Sequence, residues 1–549
     1  MSDAYMPVHP IVDAKERHFF RLSFTSEERA EASIFRAVCL RAAFLSLLVY
    51  CVYSSAMVIV TCIPRLANRW ENTFPEAPQT YAAIRTALTG KLYFPFTKPP
   101  YVIQAYGPLY YVMNGWLARM ASADVDRFIH TARTLNFACF LLCAILIIAI
   151  CRRLGFSVLV SLAAATLPLG APFFAVWAVT IRPDIYFLVL MLASLLIAVW
   201  DDNPSTWACI ISGVVGGLAV LMKQPGVAVL IAIATVWVAR KRFRETALLC
   251  LGAAASAIVM LVFLLLHKED FIGQFFSISR SMWSLSDGLA FATVLLRIPA
   301  ILFPVAVGAV GFSRAIFSGE RAQLLASFML VNWIVGLSGM PQAAAAGNYF
   351  FGGLLGCGLL LPFSIELIRE NIRLGPILLL LAAGTCYLAY TYDMRVLAAA
   401  SNYSPNVYNG FKSFRILSDR PEFSIHGRDP ELLDPLSVHM FELGSDAWTS
   451  APIVQNVRSL DYDLIILACP HGSRVICNFR GANFFSPSVV EAINQNYRVF
   501  CAGAGGIVLV PREKHVDIRS DMLDASLGAP CSTEYQGHAP DLLIVEGTR

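Results

Sequence analysis

A succession of apolar stretches, each long enough to cross a lipid bilayer, leaves this chain few possible folds. Crossing the hydrocarbon layer takes about 20 residues of helix. Stretches of that kind lie near 42–63, 134–151, 157–178, 184–200, 206–222, 226–239, 246–266, 289–311, 323–340, 349–367 and 375–392. Only 15% of the 549 residues are charged, whereas a soluble domain carries about 25%. The mean hydropathy is +0.61. The expected fold is therefore a polytopic α-helical membrane protein with about eleven transmembrane helices. The first span starts behind some forty polar residues, too deep for the apolar core of a cleaved signal, and is read as retained.

Lys and Arg in short loops mark the cytoplasmic side. Arg152-Arg153, Arg240-Lys241-Arg242 with Arg244, Arg314 with Arg321, and Arg369 with Arg373 fall on alternate turns. The segment 1–40 is then cytoplasmic. The loop 64–133 faces out, with the turns at Arg182, Lys223, 267–288 and 341–348. The turn starting Asp201-Asp202 adds nothing, because acids count little in this rule. With an odd number of spans, the region beyond about 395 also faces out. That region differs in kind: 462–469, 497–501 and 507–510 read as buried strands, with a helix over 487–495. The expected organisation is a cytoplasmic segment 1–40, a membrane domain 41–394 and a small extracytoplasmic α/β domain 395–549. Cys469, Cys477, Cys501 and Cys531 in the last region allow three pairings, and nothing in the sequence selects one.

The longest polar interruption before the tail is 68–111. It holds Glu71 and Glu76, an amphipathic run over 78–88 expected along the membrane surface, Gly90 as its stop, and Tyr106-Gly107-Pro108-Leu109-Tyr110-Tyr111. Carboxylates in an aromatic loop against a bilayer suit general-base work, since partial burial raises their pKa; the plainer alternative is simple solvation. Arg182-Pro183-Asp184 opens an apolar span with an acid, which is costly without a partner or a function. It is either an edge ion pair or part of a site. Lys223-Gln224-Pro225-Gly226 breaks two spans with a compact cation suited to phosphate, unless the lysine merely snorkels. Asn348-Tyr349 opens another span, as an interfacial belt pair or as a site element. The charge rule places all four sets on one side, where unrelated loop polarity would scatter. There is no Walker A loop, HExxH or zinc-type Cys spacing. Gly503-Ala504-Gly505-Gly506 reads as a hairpin turn, and no basic stripe for nucleic acid is present.

Several short runs share a pattern: Gly90-Lys91-Leu92-Tyr93 with Tyr106-Gly107-Pro108-Leu109-Tyr110-Tyr111, then Arg182 with Asp184, then Gly217-Leu218-Ala219 leading to Lys223-Gln224, then Gly347-Asn348-Tyr349. With the tail run Asp429-Pro430-Glu431-Leu432-Leu433-Asp434-Pro435-Leu436, they resemble the GT-C superfamily of multi-span glycosyltransferases. The likeness is to the group related to bacterial aminoarabinose transferases and protein O-mannosyltransferases, and it covers the membrane part and much of the tail. It implies an integral glycosyltransferase of the bacterial inner membrane. A hexosyl or pentosyl group would move from a polyprenyl-phosphate carrier to an acceptor hydroxyl, of unknown identity, on the extracytoplasmic face, among membrane lipids.

The resemblance also implies roles. Glu76 or Glu71 takes the hydroxyl proton. Relatives carry Asp or adjacent acids there, so both stay candidates; Glu76 is favoured because Pro75 and Pro78 stiffen its setting. Lys223 and Arg182 hold the donor phosphate. Asp184 orients, and Tyr106, Asn348 and Tyr349 contact substrate. No cofactor and no metal is demanded, although some members of the superfamily use a divalent metal. The tail is expected to support acceptor binding or loop packing and to supply no catalytic residue. Two rival classes predict otherwise. A transporter or flippase would show mid-bilayer charges and an internal repeat, neither of which is seen. A non-catalytic scaffold would leave the one-sided clustering unexplained.

Overall fold

The computed structural model describes residues 26–370 and 411–516, apart from 68–71, 73–75, 268–270, 272–273, 275–283, 297–298, 342–346, 412, 420, 445–447, 468–477, 480–481, 504–505 and 515. The span expected at 375–392 lies outside the described residues, as do Glu71, Cys469, Cys477 and Cys531. The first part of the chain is helical: α1 (Ser26–Leu66), α2 (Glu76–Thr89), α3 (Pro108–Met120), α4 (Val125–Arg153), α5 (Val158–Leu169), α6 (Pro172–Ala178) and α7 (Asp184–Val199). It continues with α8 (Thr206–Met222), α9 (Val227–Ala239), α10 (Phe243–Leu266), α11 (Leu285–Leu296), α12 (Pro299–Ala315), α13 (Glu320–Gly339) and α14 (Phe351–Glu370). Among the described residues, five stretches are long and apolar enough to cross a membrane: Phe44–Leu66, Val125–Arg153, Phe243–Leu266, Glu320–Gly339 and Gly347–Ile368. Five shorter apolar helices accompany them: Val158–Leu169, Asp184–Val199, Thr206–Met222, Gln224–Ala239 and Ile301–Ala315.

The span expected over 157–178 is two helices, α5 and α6. Pro172 stands at the first position of α6, where a missing N–H costs nothing but where the preceding helix cannot continue. The span expected over 289–311 is likewise divided, between α11 and α12, ahead of Pro299. Helix starts carry their own signals: Asp124, Ser157 and Ser205 cap α4, α5 and α8 by accepting the N–H of Arg127, Val160 and Ala208, which satisfies an otherwise orphaned donor. At one end of the bundle Arg153 pairs with Asp201 at 2.8 Å, Arg321 with Asp202 at 2.9 Å and Arg242 with Glu320 at 3.1 Å. The acidic turn that was silent in the charge count is thus counter-charge to the basic turns. The opposite end holds Arg182, Lys223 and Asn348.

Two features fix the end of α8, where Lys223 follows. Its Gly213 lies against α10 so closely that a Cβ there would run into the Leu249 carbonyl, an approach that small residues permit between helices in a membrane. Gly107, just ahead of α3, comes as near to the Leu221 carbonyl, and its N–H donates to the Met222 carbonyl at 3.3 Å. The first loop is therefore pinned to the last turn of α8. Within that loop, α2 packs on α3, with Ala82 in the core of the bundle and Ala83 in a smaller core with Leu117, Ala118 and Phe128. It stops at Gly90, whose φ of +74° suits a residue without a Cβ. The segment 91–107 is irregular but satisfied. Gln104 donates to the Leu92 carbonyl and accepts the Phe94 N–H, while Gln274 accepts the Gln104 N–H and donates to the Phe94 carbonyl.

The C-terminal region is a mixed four-stranded sheet with small helices. Strands β1 (Ile416–Ser418), β2 (Leu464–Leu467), β5 (Tyr497–Gly503) and β6 (Gly506–Pro511) run in the order β1-β2-β6-β5. A short β3 (Asn478–Phe479) pairs with β4 (Ala482–Asn483). β1 is parallel to β2, and the other neighbours are antiparallel. β2 reads Leu-Ile-Ile-Leu because both faces are covered: Leu464 and Ile466 enter one core, Ile465 and Leu467 the other. Helices α15 (Pro421–His426), α16 (Pro435–Gly444), α17 (Ala451–Arg458) and α18 (Pro487–Asn496) complete it. The two parts interlock. Tyr101 and Ile103 of the first loop belong to the core of the C-terminal region, and Leu433 belongs to that of the helical bundle.

Candidate functional site

The site forms where α7, α8 and α14 begin or end at one end of the bundle. Asp184, the first residue of α7, is fully buried. Its Oδ1 accepts from Lys223 Nζ at 2.5 Å and from Asn348 Nδ2 at 2.6 Å. Its Oδ2 faces Arg182 Nε at 3.3 Å. Lys223 has extended backbone between α8 and the 3-10 turn Gln224–Gly226, which turns its side chain out of helical register. Its ammonium sits 5.7 Å from the centre of the Phe187 ring and 5.3 Å from that of Tyr349. Arg182 stacks on Trp177 at 4.4 Å and lies 5.8 Å from Tyr106. Two cations thus share one carboxylate inside an aromatic wall. Burial pushes the Tyr106 phenol up from its ordinary value, with the Arg182 charge opposing, so Tyr106 keeps its proton and can act as a donor. The residues named from separate turns, Arg182, Asp184, Lys223, Tyr106, Asn348 and Tyr349, therefore meet in space.

Glu76 stands behind this group rather than in it. Its two oxygens accept four hydrogen bonds: Oε1 from Arg133 Nε at 2.9 Å and from the Ile181 N–H at 2.8 Å, Oε2 from Arg133 Nη2 at 2.7 Å and from the Asn72 N–H at 2.6 Å. A carboxylate has about four lone-pair directions, and here each meets a protein donor. Its neighbours tie down the segment leading to Arg182. Asn72 donates to the Val179 carbonyl at 2.6 Å, Asn136 to those of Trp177 and Thr180 at 2.7 and 2.9 Å, and Tyr110 to that of Ile181 at 2.9 Å. Arg133 and Asn136 were not legible as site residues. The one signal was an arginine and an asparagine a turn apart where the apolar run of α4 begins.

A third carboxylate reaches the same neighbourhood from the C-terminal region. Asp434 precedes α16 and accepts the Ser437 N–H at 3.3 Å, an N-cap arrangement. It also accepts a backbone hydrogen bond from Ile103, three residues before Tyr106. Next to it, the Leu433 N–H donates to the Pro100 carbonyl at 3.1 Å. Farther along the same loop, Ala105 accepts from Gln224 Nε2 at 3.1 Å. The strip 100–107 therefore bridges Asp434 to the Lys223 turn. Among the described residues, no three His, Cys, Asp or Glu side chains gather as a metal site requires.

The fold is shared with solved structures of ArnT. Residues 111–267 match the family described as dolichyl-phosphate-mannose-protein mannosyltransferase. Among solved structures, the chain is similar to ArnT from Cupriavidus metallidurans in the apo state, with a TM-score of 0.54 and 12% identity over 83% of this chain and 97% of that one. It is also similar to the same protein bound to undecaprenyl phosphate, with a TM-score of 0.52 and 12% identity over 85% and 99% of the two chains. No match was found among curated protein sequences.

Proposed function

We propose that the protein is a glycosyltransferase that moves a sugar from a polyprenyl-phosphate carrier to an acceptor hydroxyl at the extracytoplasmic face of a membrane. The observation that carries this reading is the pairing of Arg182 and Lys223 around one buried carboxylate, at the end of the bundle where the first loop and the C-terminal region meet. Two cations gathered at one buried carboxylate can turn toward a phosphate, and a phosphate leaving group needs positive charge most as its bond to the sugar breaks. The carriers of the similar proteins fit the same chemistry: one is described by a dolichyl-phosphate sugar, another is seen with undecaprenyl phosphate. In this proposal Asp184 orients the two cations, Asn348 orients Asp184, and Tyr106 and Tyr349 line the sugar's approach. Glu76 acts as a positioning residue: it holds the 179–182 segment and so aims Arg182. No lone pair of Glu76 is left for a hydroxyl proton.

The test is transfer itself. Purified protein incubated with a panel of polyprenyl-phosphate sugars and hydroxyl acceptors should release the free lipid phosphate from at least one donor. If no donor yields it and undecaprenyl phosphate does not bind, the reading fails.

The facing of the site rests on the charge rule and on Cys501, which is disulfide-bonded, as is usual in an oxidising compartment. A topology reporter joined after Arg244 should report from the cytoplasm, and one joined after Lys514 from the opposite side. Both reporters on one side would place the tail away from any extracytoplasmic acceptor and sink the facing proposed here.

A further inference from the structure

A transfer to a hydroxyl needs a proton acceptor, and among the carboxylates described at this end Glu76 has every lone pair committed while Asp184 is held between two cations. Glu76 accepts from Arg133, Ile181 and Asn72. Asp184 accepts from Lys223 and Asn348 and faces Arg182. Asp434 is placed differently. It is 2% exposed, and its named partners are the neutral groups of Ser437 and the Ile103 N–H. No salt bridge to it occurs among the described residues. The charged and titratable groups that face it are Arg182 and Tyr106; Arg182 in turn faces Asp184, which holds Lys223.

We propose that Asp434, carried by the C-terminal region onto the loop strip that ends at Tyr106, is the general base of the transfer. This rests on the glycosyltransferase reading above, and it reverses the expectation that the tail supplies no catalytic residue. The placement supports it: Asp434 is bonded to Ile103, while Ala105 and Gly107 of the same strip are bonded to Gln224 and Met222 on either side of Lys223. A base on Asp434 is therefore held in fixed relation to the cations that receive the phosphate. The burial of Asp434 without a cationic partner pushes its carboxyl up to about 7, near where a base serves best at neutral pH. In the step, an Asp434 oxygen takes the acceptor's hydroxyl proton as the hydroxyl oxygen bonds to the anomeric carbon. The bond from that carbon to the phosphate oxygen breaks. Its electron pair leaves with the polyprenyl phosphate, whose charge Arg182 and Lys223 take up.

The experiment is the pH–rate profile of full-length Asp434→Asn beside wild type, Asp434→Glu and Glu71→Gln, with donor binding measured in parallel. The wild-type rate should rise through an inflection near pH 7. Asp434→Asn should lose roughly two to four powers of ten in kcat and the inflection with it, while still binding undecaprenyl phosphate; Asp434→Glu should recover part of the rate. A second readout needs no activity. An Asp raised from about 4 to about 7 holds a proton in the folded state that the unfolded chain has released, so stability falls as pH rises through that window. The Tm of Asp434→Asn minus that of wild type should therefore increase between about pH 5 and about pH 8. A flat difference overturns the proposal. So does an Asp434→Asn protein with wild-type rate and inflection while Glu71→Gln loses both. If the Tm difference rises as expected but wild type transfers from no donor, the glycosyltransferase reading is what failed, and the base role goes with it.

Discussion

A Lys223→Ala protein should bind undecaprenyl phosphate more than tenfold more weakly, lose about two to three powers of ten in transfer rate, and melt well below wild type. The three effects have one origin. The Lys223 ammonium and the Asp184 carboxylate are both buried, at 6% and 1% side-chain exposure, and 2.5 Å apart. Removing the ammonium leaves the buried Asp184 carboxylate to Arg182 alone, at a cost toward the lower end of the about 3–5 kcal/mol of a broken buried pair. The same removal takes away one of the two cations offered to a leaving phosphate. Stability and function can be separated with the double variant Lys223→Met with Asp184→Asn, which removes the Lys223–Asp184 ion pair and leaves Arg182 stacked on Trp177 without that carboxylate. Its Tm should recover part of the loss, whereas its donor affinity should stay low. A double variant that binds donor like wild type would show that the ammonium is structural only and is not the phosphate ligand.

What the sequence shows and what it hides follow from where each interaction is encoded. Helices α7, α8, α13 and α14 lie within a few residues of the apolar stretches that announce them, because a bilayer-crossing helix must be written as one continuous run. The breaks before Pro172 and Pro299 are harder to see, since hydropathy continues across both. Arg182, Asp184, Lys223, Asn348 and Tyr349 are legible because each is a polar or interfacial residue at the very end of an apolar run, where its presence needs a reason. The alternation of basic turns places them on one side of the membrane, and the folded chain then brings them together. The grip of Arg133 on Glu76 is not legible, because it joins a loop to the helix beyond it and no local period records such a pairing. Asp434 lies in a run that resembled the superfamily's tail, yet its importance depends on a backbone bond to Ile103 in the first loop. Only the folded chain brings those two segments together.

Glu76→Gln and Arg133→Ala are expected to fail in the same way, and that likeness is the means of telling a positioning residue from a base. In Glu76→Gln an amide NH2 replaces one acceptor oxygen and must face a donor, from Arg133 with either Asn72 or Ile181. In Arg133→Ala the Glu76 carboxylate keeps its charge in a buried site without its guanidinium. Either change should cost about 3–5 kcal/mol, the usual penalty for breaking a buried pair. Either should also loosen the 179–182 segment and so weaken donor binding through Arg182. Glu76→Gln combined with Arg133→Met should regain part of the stability, since the pair's removal leaves no buried charge. What activity remains in each variant should keep the inflection near pH 7, because Asp434 is untouched. A base behaves otherwise: its loss leaves fold and donor binding intact, removes about two to four powers of ten in rate, and erases the inflection. If Glu76→Gln melts like wild type, binds undecaprenyl phosphate like wild type and is nevertheless dead, the four donors around Glu76 must give way in the working enzyme. The base would then be Glu76, and Asp434 would be no more than the cap of α16.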